Sequence, residues 1–182
     1  MRIVSGKYKG RRINPPKNLP VRPTTDMSKE SLFNILNNHF DFDEIAVLDL
    51  FAGTGNLSYE FGSRGTTDIT AVDEDAGCIK FIRQTAQEFD FPISATRINA
   101  YSFLDKDSRQ YDVIVADPPY HFEREKLEKI PTTVFAKKLL APGGMLIIEH
   151  SKHTSLDGHE FFSFRKNYGG SVFSFFEWPN EE

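Results

Sequence analysis

The sequence predicts an α/β fold: a Rossmann-like, doubly wound, mostly parallel sheet that ends in an antiparallel hairpin, with a small N-terminal hairpin and helix extension. Three observations carry this expectation. Short apolar runs alternate with amphipathic stretches from residue 45 to residue 149, as expected of parallel strands whose two faces are both covered by helices. A glycine-rich segment, DLFAGTG at 49–55, follows the first run and opens a helical stretch, the strand-to-helix junction of doubly wound sheets. Near the end, FFSFRKNY and SVFSFFE flank Gly169-Gly170, and such a pair supplies the positive φ angles of a two-residue hairpin turn.

At the front, IVSGKYKGRRI alternates apolar and basic residues around Gly6 and Gly10, which predicts a small β-hairpin. Pro15-Pro16, Pro20 and Pro23 then impose an extended linker. Residues 26–39 set Leu32, Phe33, Ile35 and Leu36 behind Asp26 as an N-cap, so an amphipathic helix leads into the body. Residues 1–40 are thus expected to form a basic extension, and 41–182 the main domain.

Within the body, strands are expected at 45–50, 69–73, 112–116 and 145–149, with a weaker one at 94–98. Helices are expected at 56–64, ended by Gly65, and at 76–89, capped by Asp75 with Ile79, Ile82 and Phe89 on one stripe. A further helix at 123–139 stops before Pro142-Gly143-Gly144, read as a turn that launches the next strand. Phe161, Phe162, Phe164, Phe173, Phe175 and Phe176 cluster in the terminal hairpin; sheet packing is the expected role, ahead of a base-stacking platform.

With 182 residues and 26% charged side chains the chain fits one ordinary domain and excludes a disordered or collagenous polymer. Its single cysteine, Cys78, excludes an internal disulfide framework and is expected as a packed thiol within a helix. The opening MRIVSGKYKG has no apolar run of signal-peptide length, and no stretch approaches membrane-spanning length. A soluble, cytoplasmic protein without a membrane partner is the expectation. The net charge of −4 hides an asymmetry. Residues 1–29 carry Arg2, Lys7, Lys9, Arg11, Arg12, Lys17, Arg22 and Lys29 against Asp26 alone, while the other 153 residues hold 14 basic and 25 acidic groups. A basic arm on an acidic body suggests a polyanionic partner, the alternative being a solvated arm.

Two motifs carry chemistry. In Asp49-Leu-Phe51-Ala52-Gly53-Thr54-Gly55 the glycines allow a tight turn and close ligand approach at a helix N-terminus. The dinucleotide fingerprint G-x-G-x-x-G is incomplete, because Ser58 holds its third glycine position. Asp49 suits a ligand's ammonium group, which a pyrophosphate cradle does not need. Asp73 lies 20 residues after Gly53, at the end of the second strand, where an acid takes ribose hydroxyls. An amine and a ribose without a phosphate point to S-adenosylmethionine.

The second motif is Asp117-Pro118-Pro119-Tyr120, directly after the DVIVA strand. Its prolines fix the backbone and remove N–H donors, so the Asp117 carboxylate and Pro118 carbonyl can each accept one hydrogen of an exocyclic amino group. That arrangement aims the nitrogen lone pair at a methyl donor, and catalysis is positioning more than deprotonation. Tyr120 offers an aromatic face for a flipped or unpaired base, worth about 1–3 kcal/mol per base.

With both motifs in view the chain resembles the class I S-adenosylmethionine-dependent methyltransferases, and more closely the RsmD family. That family methylates the exocyclic N2 of a guanine in small-subunit (16S) ribosomal RNA. The likeness includes MRIVSGKYKGRRI, Arg22-Pro23-Thr24, the block from Lys29 to Leu36, both motifs and Pro142-Gly143-Gly144. The N-terminal block narrows the family, since many amino-methyltransferases share the middle motifs. The resemblance implies cofactor contacts from Asp49, Phe51, Ala52, Gly53, Thr54, Gly55, Asp73 and Glu74, with Asn99 and Ala100 near the adenine. It implies that Asp117 through Tyr120 hold the guanine amino group, and that Arg2, Lys7, Lys9, Arg11, Arg12 and Arg22 grip RNA. Met27 departs from the pattern, standing where an arginine is usual.

The partner implied is 16S ribosomal RNA or the small ribosomal subunit, approached by a monomer. Competing readings are adenine-N6 methylation of DNA or RNA, methylation of a protein glutamine, and a non-catalytic RNA-binding module. The chain leaves no length for a DNA target-recognition domain, the basic arm disfavours a protein substrate, and intact Asp49, Asp73 and Asp117 disfavour a vestigial pocket. His150, His153 and His159 lack a ligand partner set, so no metal is expected; His121 is expected as a surface loop residue.

Overall fold

The computed structural model describes residues 1–21 and 24–180, and its first regular element is a helix. That helix, α1 (Asp26–Asn37), is capped by the Thr25 hydroxyl, which accepts from the Ser28 N–H. Asp26 is therefore the first helical residue and not the N-cap: the rotatable hydroxyl one position earlier reaches the unpaired N–H, and the carboxylate is left to favour the positive helix end. A 3₁₀ turn, Phe42–Glu44, leads into β1 (Ala46–Leu50). Strand and helix then alternate through α2 (Asn56–Ser63), β2 (Asp68–Asp73), α3 (Ala76–Phe89) and β3 (Ile93–Arg97). They continue with α4 (Ala100–Lys106), β4 (Tyr111–Ala116), α5 (Arg124–Ala136) and β5 (Leu140–Ser151), before β6 (Phe162–Tyr168) and β7 (Ser171–Phe176) close the sheet.

The seven strands lie in the order β3-β2-β1-β4-β5-β7-β6. Five are parallel, and β7 pairs antiparallel with both β5 and β6, as the alternating apolar runs and the Gly-Gly hairpin imply. Alternate residues of each parallel strand feed opposite layers. On one side Val47, Val113, Val115 and Met145 pack with Leu32, Phe33 and Leu36 of α1 and Phe61 of α2. On the other, Leu48, Leu50, Ile114 and Leu146 pack with Leu104 of α4 and Leu127, Ile130 and Val134 of α5. The terminal phenylalanines act as packing: Phe173, Phe175 and Phe176 are buried, and Phe164 stacks on Phe175 at 4.2 Å.

The N-terminal hairpin forms: Arg2 and Arg12 make an antiparallel bridge, the Ile3 N–H donates to the Arg11 carbonyl (2.9 Å) and the Gly10 N–H to the Ile3 carbonyl (2.8 Å). It packs against α2, where a Cβ on Gly6 would lie 2.0 Å from the Ser63 carbonyl oxygen. Three further expectations need correction. The proline linker is not uniformly extended, since the Leu19 N–H returns to the Pro16 carbonyl. Helix α4 was not expected; the Asn99 side chain starts it by accepting from the N–H groups of Tyr101 and Ser102. Finally, Pro142-Gly143-Gly144 lies inside β5 as a bulge, with Tyr111 opposite Leu140 and Val113 opposite Met145.

Candidate active site

The parallel register gathers the functional loops at one edge. Leu50 of β1 is level with Ala116 of β4 on one side and Val72 of β2 on the other. The chain leaves β1 into Phe51 and β4 into Asp117, and β2 ends on Asp73, so the three loops emerge side by side from the carboxyl ends of adjacent strands. Ligands of open α/β sheets bind along this edge.

The glycine loop is tightly specified. Phe51, Gly53 and Gly55 all have positive φ, and Gly55 caps α2. A Cβ on Gly55 would lie 2.6 Å from the Tyr59 ring, so only glycine leaves the cradle open. The Ala52 N–H donates to the Val72 carbonyl (2.9 Å), and the Gly53 N–H donates to Asp73 Oδ2 (2.9 Å). Asp73 Oδ1 accepts from the Asp75 N–H, so this carboxylate braces the loop. Thr54 is buried beneath the turn. Linker residues cover the loop from outside: Val21 lies against Gly53 and Leu19 against Gly77.

Asp49 is buried on β1 and accepts from the Ser58 hydroxyl at 2.7 Å. Burial pushes its carboxyl up to about 7, the Ser58 hydrogen bond opposes this, and the neighbouring Asp73 charge adds to it. Burial likewise raises Asp73, against the N–H groups of Asp75 and Gly53. Two carboxyls held back from ionising suit a ligand that brings positive charge, whereas a phosphate here would face them unfavourably. Glu74 accepts from the Asn99 side-chain amide (3.2 Å), and Ala100 begins α4 beside it. The residues present therefore fit S-adenosylmethionine, a cationic ligand without a phosphate.

Beyond β4, Asp117 is half-buried, Pro118 buried, and Pro119 and Tyr120 exposed. An aromatic group that sequence reasoning missed joins the two motifs. The Phe51 ring meets Tyr101 at 6.1 Å and Phe122 at 5.9 Å, both edge-on. Lys126 Nζ sits 3.7 Å from the Phe122 centroid, and the Tyr101 hydroxyl donates to the Lys126 carbonyl. Phe122 follows Tyr120 by two residues, which was the available signal; Tyr101 was hidden with α4. His121 and His153 are exposed, whereas His150 is buried, bonded to the Ser151 carbonyl and Ser174 hydroxyl. Among the described residues no group of three or more His, Cys, Asp or Glu forms a metal site, and no helix is long and apolar enough to cross a membrane. Cys78 is buried, and burial pushes its thiol up to about 12.

The arm's charges separate. Arg2, Lys7, Lys9, Arg11 and Arg12 are exposed, and Arg22 lies outside the described residues. Lys29 is not a surface charge at all. It is 1% exposed and donates to the Arg2 carbonyl and the Asn56 side chain, with Glu60 3.3 Å away. Met27, in contrast, is 75% exposed.

The family described as Conserved hypothetical protein 95 matches residues 1–177. Ribosomal RNA small subunit methyltransferase D of Escherichia coli (strain K12) is 30% identical over 157 residues, 86% of this chain and 77% of that protein. The chain belongs to the RsmD family. Another relative of the same name, from Buchnera aphidicola subsp. Acyrthosiphon pisum, is 31% identical over 85% of this chain and 80% of its own length. Among solved structures, a hypothetical protein of Thermus thermophilus superimposes with a TM-score of 0.84 at 22% identity, covering 98% of this chain and 99% of that one. The 16S rRNA N2 methyltransferase RsmC of T. thermophilus, solved with AdoMet and guanosine, gives 0.69 at 19% identity, covering 87% of this chain and 45% of that chain. These two likenesses establish the shared fold. The block from Lys29 to Leu36 falls within α1 and opens on the buried Lys29.

Proposed function

We propose that the protein transfers a methyl group from S-adenosylmethionine to the exocyclic N2 of a guanine in small-subunit ribosomal RNA. The observation that carries this reading is the Leu50–Ala116 register, which sets a cation-suited glycine loop beside Asp117-Pro118-Pro119-Tyr120. The names of the D-type relatives support ribosomal RNA as the substrate class.

The cofactor supplies an electrophilic methyl group on a sulfonium. The chain's own part is orientation. Asp49 and Asp73 would hold the cofactor, and Tyr120, 41% exposed, would stack the target base. The Asp117 carboxylate and Pro118 carbonyl each accept one amino hydrogen, which turns the nitrogen lone pair out of the ring plane and toward the methyl carbon. Bringing both reactants into one geometry removes most of the entropic barrier. The alkylated nitrogen then sheds its extra proton readily, so no strong base is required.

Transfer of labelled methyl to small-subunit RNA, followed by digestion to nucleosides, tests the reading. N2-methylguanosine is the expected product. Asp117→Ala should lower kcat by about 10²–10³-fold, as loss of a polar group aimed at the reacting centre does, with cofactor binding by calorimetry retained. Label in N6-methyladenosine would overturn the guanine assignment, and label only in protein would overturn RNA as the substrate.

A further inference from the structure

The basic residues of the arm are not equivalent, because the hairpin that carries them is clamped along α2. Its closed end lies at the last turn of α2, where the Lys7 N–H donates to the Ser63 carbonyl (2.7 Å) and the Tyr8 N–H to the Ser63 hydroxyl (3.0 Å). Its open end lies at the first turn, where Lys29 Nζ bridges the Arg2 carbonyl (2.5 Å) and the Asn56 side chain (2.9 Å). An eight-residue helix spans about 12 Å. Because α2 starts from Gly55, Arg2 and Arg12 stand at the edge of the glycine loop, and Lys7 and Lys9 near the opposite edge. Arg11 is held over Phe89, the last residue of α3, with 4.9 Å from its guanidinium carbon to the ring centroid, so it too sits away from the site.

At the open end a cleft of about 370 Å³ is lined by Met1, Arg2, Arg12, Asn14 and Asp26. Arg2 and Arg12 oppose each other across the antiparallel bridge, a pairing of like charges that costs stability by itself. Asp26 offsets one of them, with its Oδ2 3.1 Å from Arg2 Nε. Two guanidinium forks and one carboxylate leave the side chains of this concave, exposed site with one excess positive charge, and the Met1 ammonium, which donates to the Ile13 carbonyl, adds to it. Planar guanidinium forks match the geometry of a phosphate group, which accepts two parallel N–H bonds from each.

We propose that this cleft is a phosphate subsite, in which Arg2 and Arg12 grip one backbone phosphate of the RNA while its target base reaches Tyr120. The proposal rests on the reading of the protein as an RNA methyltransferase and divides the arm's charges by function. Its test measures binding of a fluorescent small-subunit RNA fragment across salt concentrations, together with methyl transfer. The variant Arg2→Gln/Arg12→Gln should flatten the log–log salt slope by about 0.7, the contribution of one phosphate contact on a single strand. It should also raise KM for RNA with the cofactor Kd unchanged.

Lys7→Gln/Lys9→Gln should flatten the slope by less than half as much. Asp26→Asn should tighten RNA binding, because it removes a carboxylate from the phosphate site. Equal losses from the two double variants, or an unchanged slope in the arginine variant, would overturn the subsite. Wild-type transfer to RNA with an unaltered arginine variant removes the subsite alone; absence of wild-type transfer to any RNA removes the functional reading beneath it.

Discussion

Asp49 is a carboxyl whose ionisation is opposed by its burial. Burial holds it at about 7 and Asp73 adds to the shift, so near neutral pH the unliganded protein keeps a large fraction of this group protonated. A cationic ligand favours the ionised form, and binding below pH 7 must therefore release a proton. Cofactor affinity is expected to rise with pH up to about 7 and then level off. Calorimetry in two buffers of different ionisation enthalpy should show the released proton at pH 6 and its loss by pH 8. Asp49→Asn should reduce the proton release and weaken binding at pH 8 by about tenfold or more, since a hydrogen bond to a charged group contributes about 1.5–3 kcal/mol. Affinity independent of pH between 6 and 8 would disprove this role. Gly55 makes a steric counterpart: Gly55→Ala sets a Cβ 2.6 Å from the Tyr59 ring at φ +91, and cofactor binding should be lost while the fold, read by circular dichroism, persists.

At the scale of elements, the hairpin, α1 and α2 are held together by one buried carboxylate. Glu60 is fully buried and accepts from the Val4 and Ser5 N–H groups, from Arg64 Nε and from Lys29. Burial lowers the Lys29 pKa while Glu60 opposes the shift, so neither partner is comfortable without the other. Glu60→Ala leaves a buried ammonium and two orphaned backbone donors, and should cost about 3–5 kcal/mol, measured as a lower urea midpoint. Trypsin should then cut after Lys7, Lys9 or Arg11 before the body unfolds; simultaneous loss of both would show that the hairpin is not a separable unit. This hub marks where the sequence stops being legible. The strands around Asp49 and Asp117 could be read because their signals are local: an apolar run, a glycine loop, a pair of prolines. Asp75 as the cap of α3 was legible for the same reason. Lys29 was counted as an arm charge because nothing within a few residues shows that Glu60 lies beside it. Helix α4 was missed because its seven residues hold only two buried side chains, Ala100 and Leu104, too few for a helical period. Pro142-Gly143-Gly144 reads locally as a turn, and only the pairing of β4 with β5 makes it a bulge.

For the whole molecule, two sets of buried or half-buried groups pull stability in opposite directions with pH. Asp49 and Asp73 have raised pKa values, so the folded state binds more protons than the unfolded chain, and stability falls as pH rises from about 4 toward 7. His150 is lowered chiefly by burial, between the Ser151 carbonyl and the Ser174 hydroxyl, and His159 is lowered by burial as well. For these the unfolded chain binds more protons, so stability is lost as pH falls below the ordinary histidine value of 6.5. The unliganded protein is caught between the two. A bound cation is expected to lift only the carboxylate penalty, because His150 lies on β5 and His159 beside Thr132 of α5, neither in the glycine loop. Their contribution cancels in the difference between liganded and free melting temperatures. The rise in melting temperature on adding saturating S-adenosylmethionine is therefore expected to be larger at pH 7.5 than at pH 5.5, and Asp49→Asn should shrink that gap. A pH-independent rise in the wild type would mean that the cofactor's charge is met elsewhere than at Asp49 and Asp73.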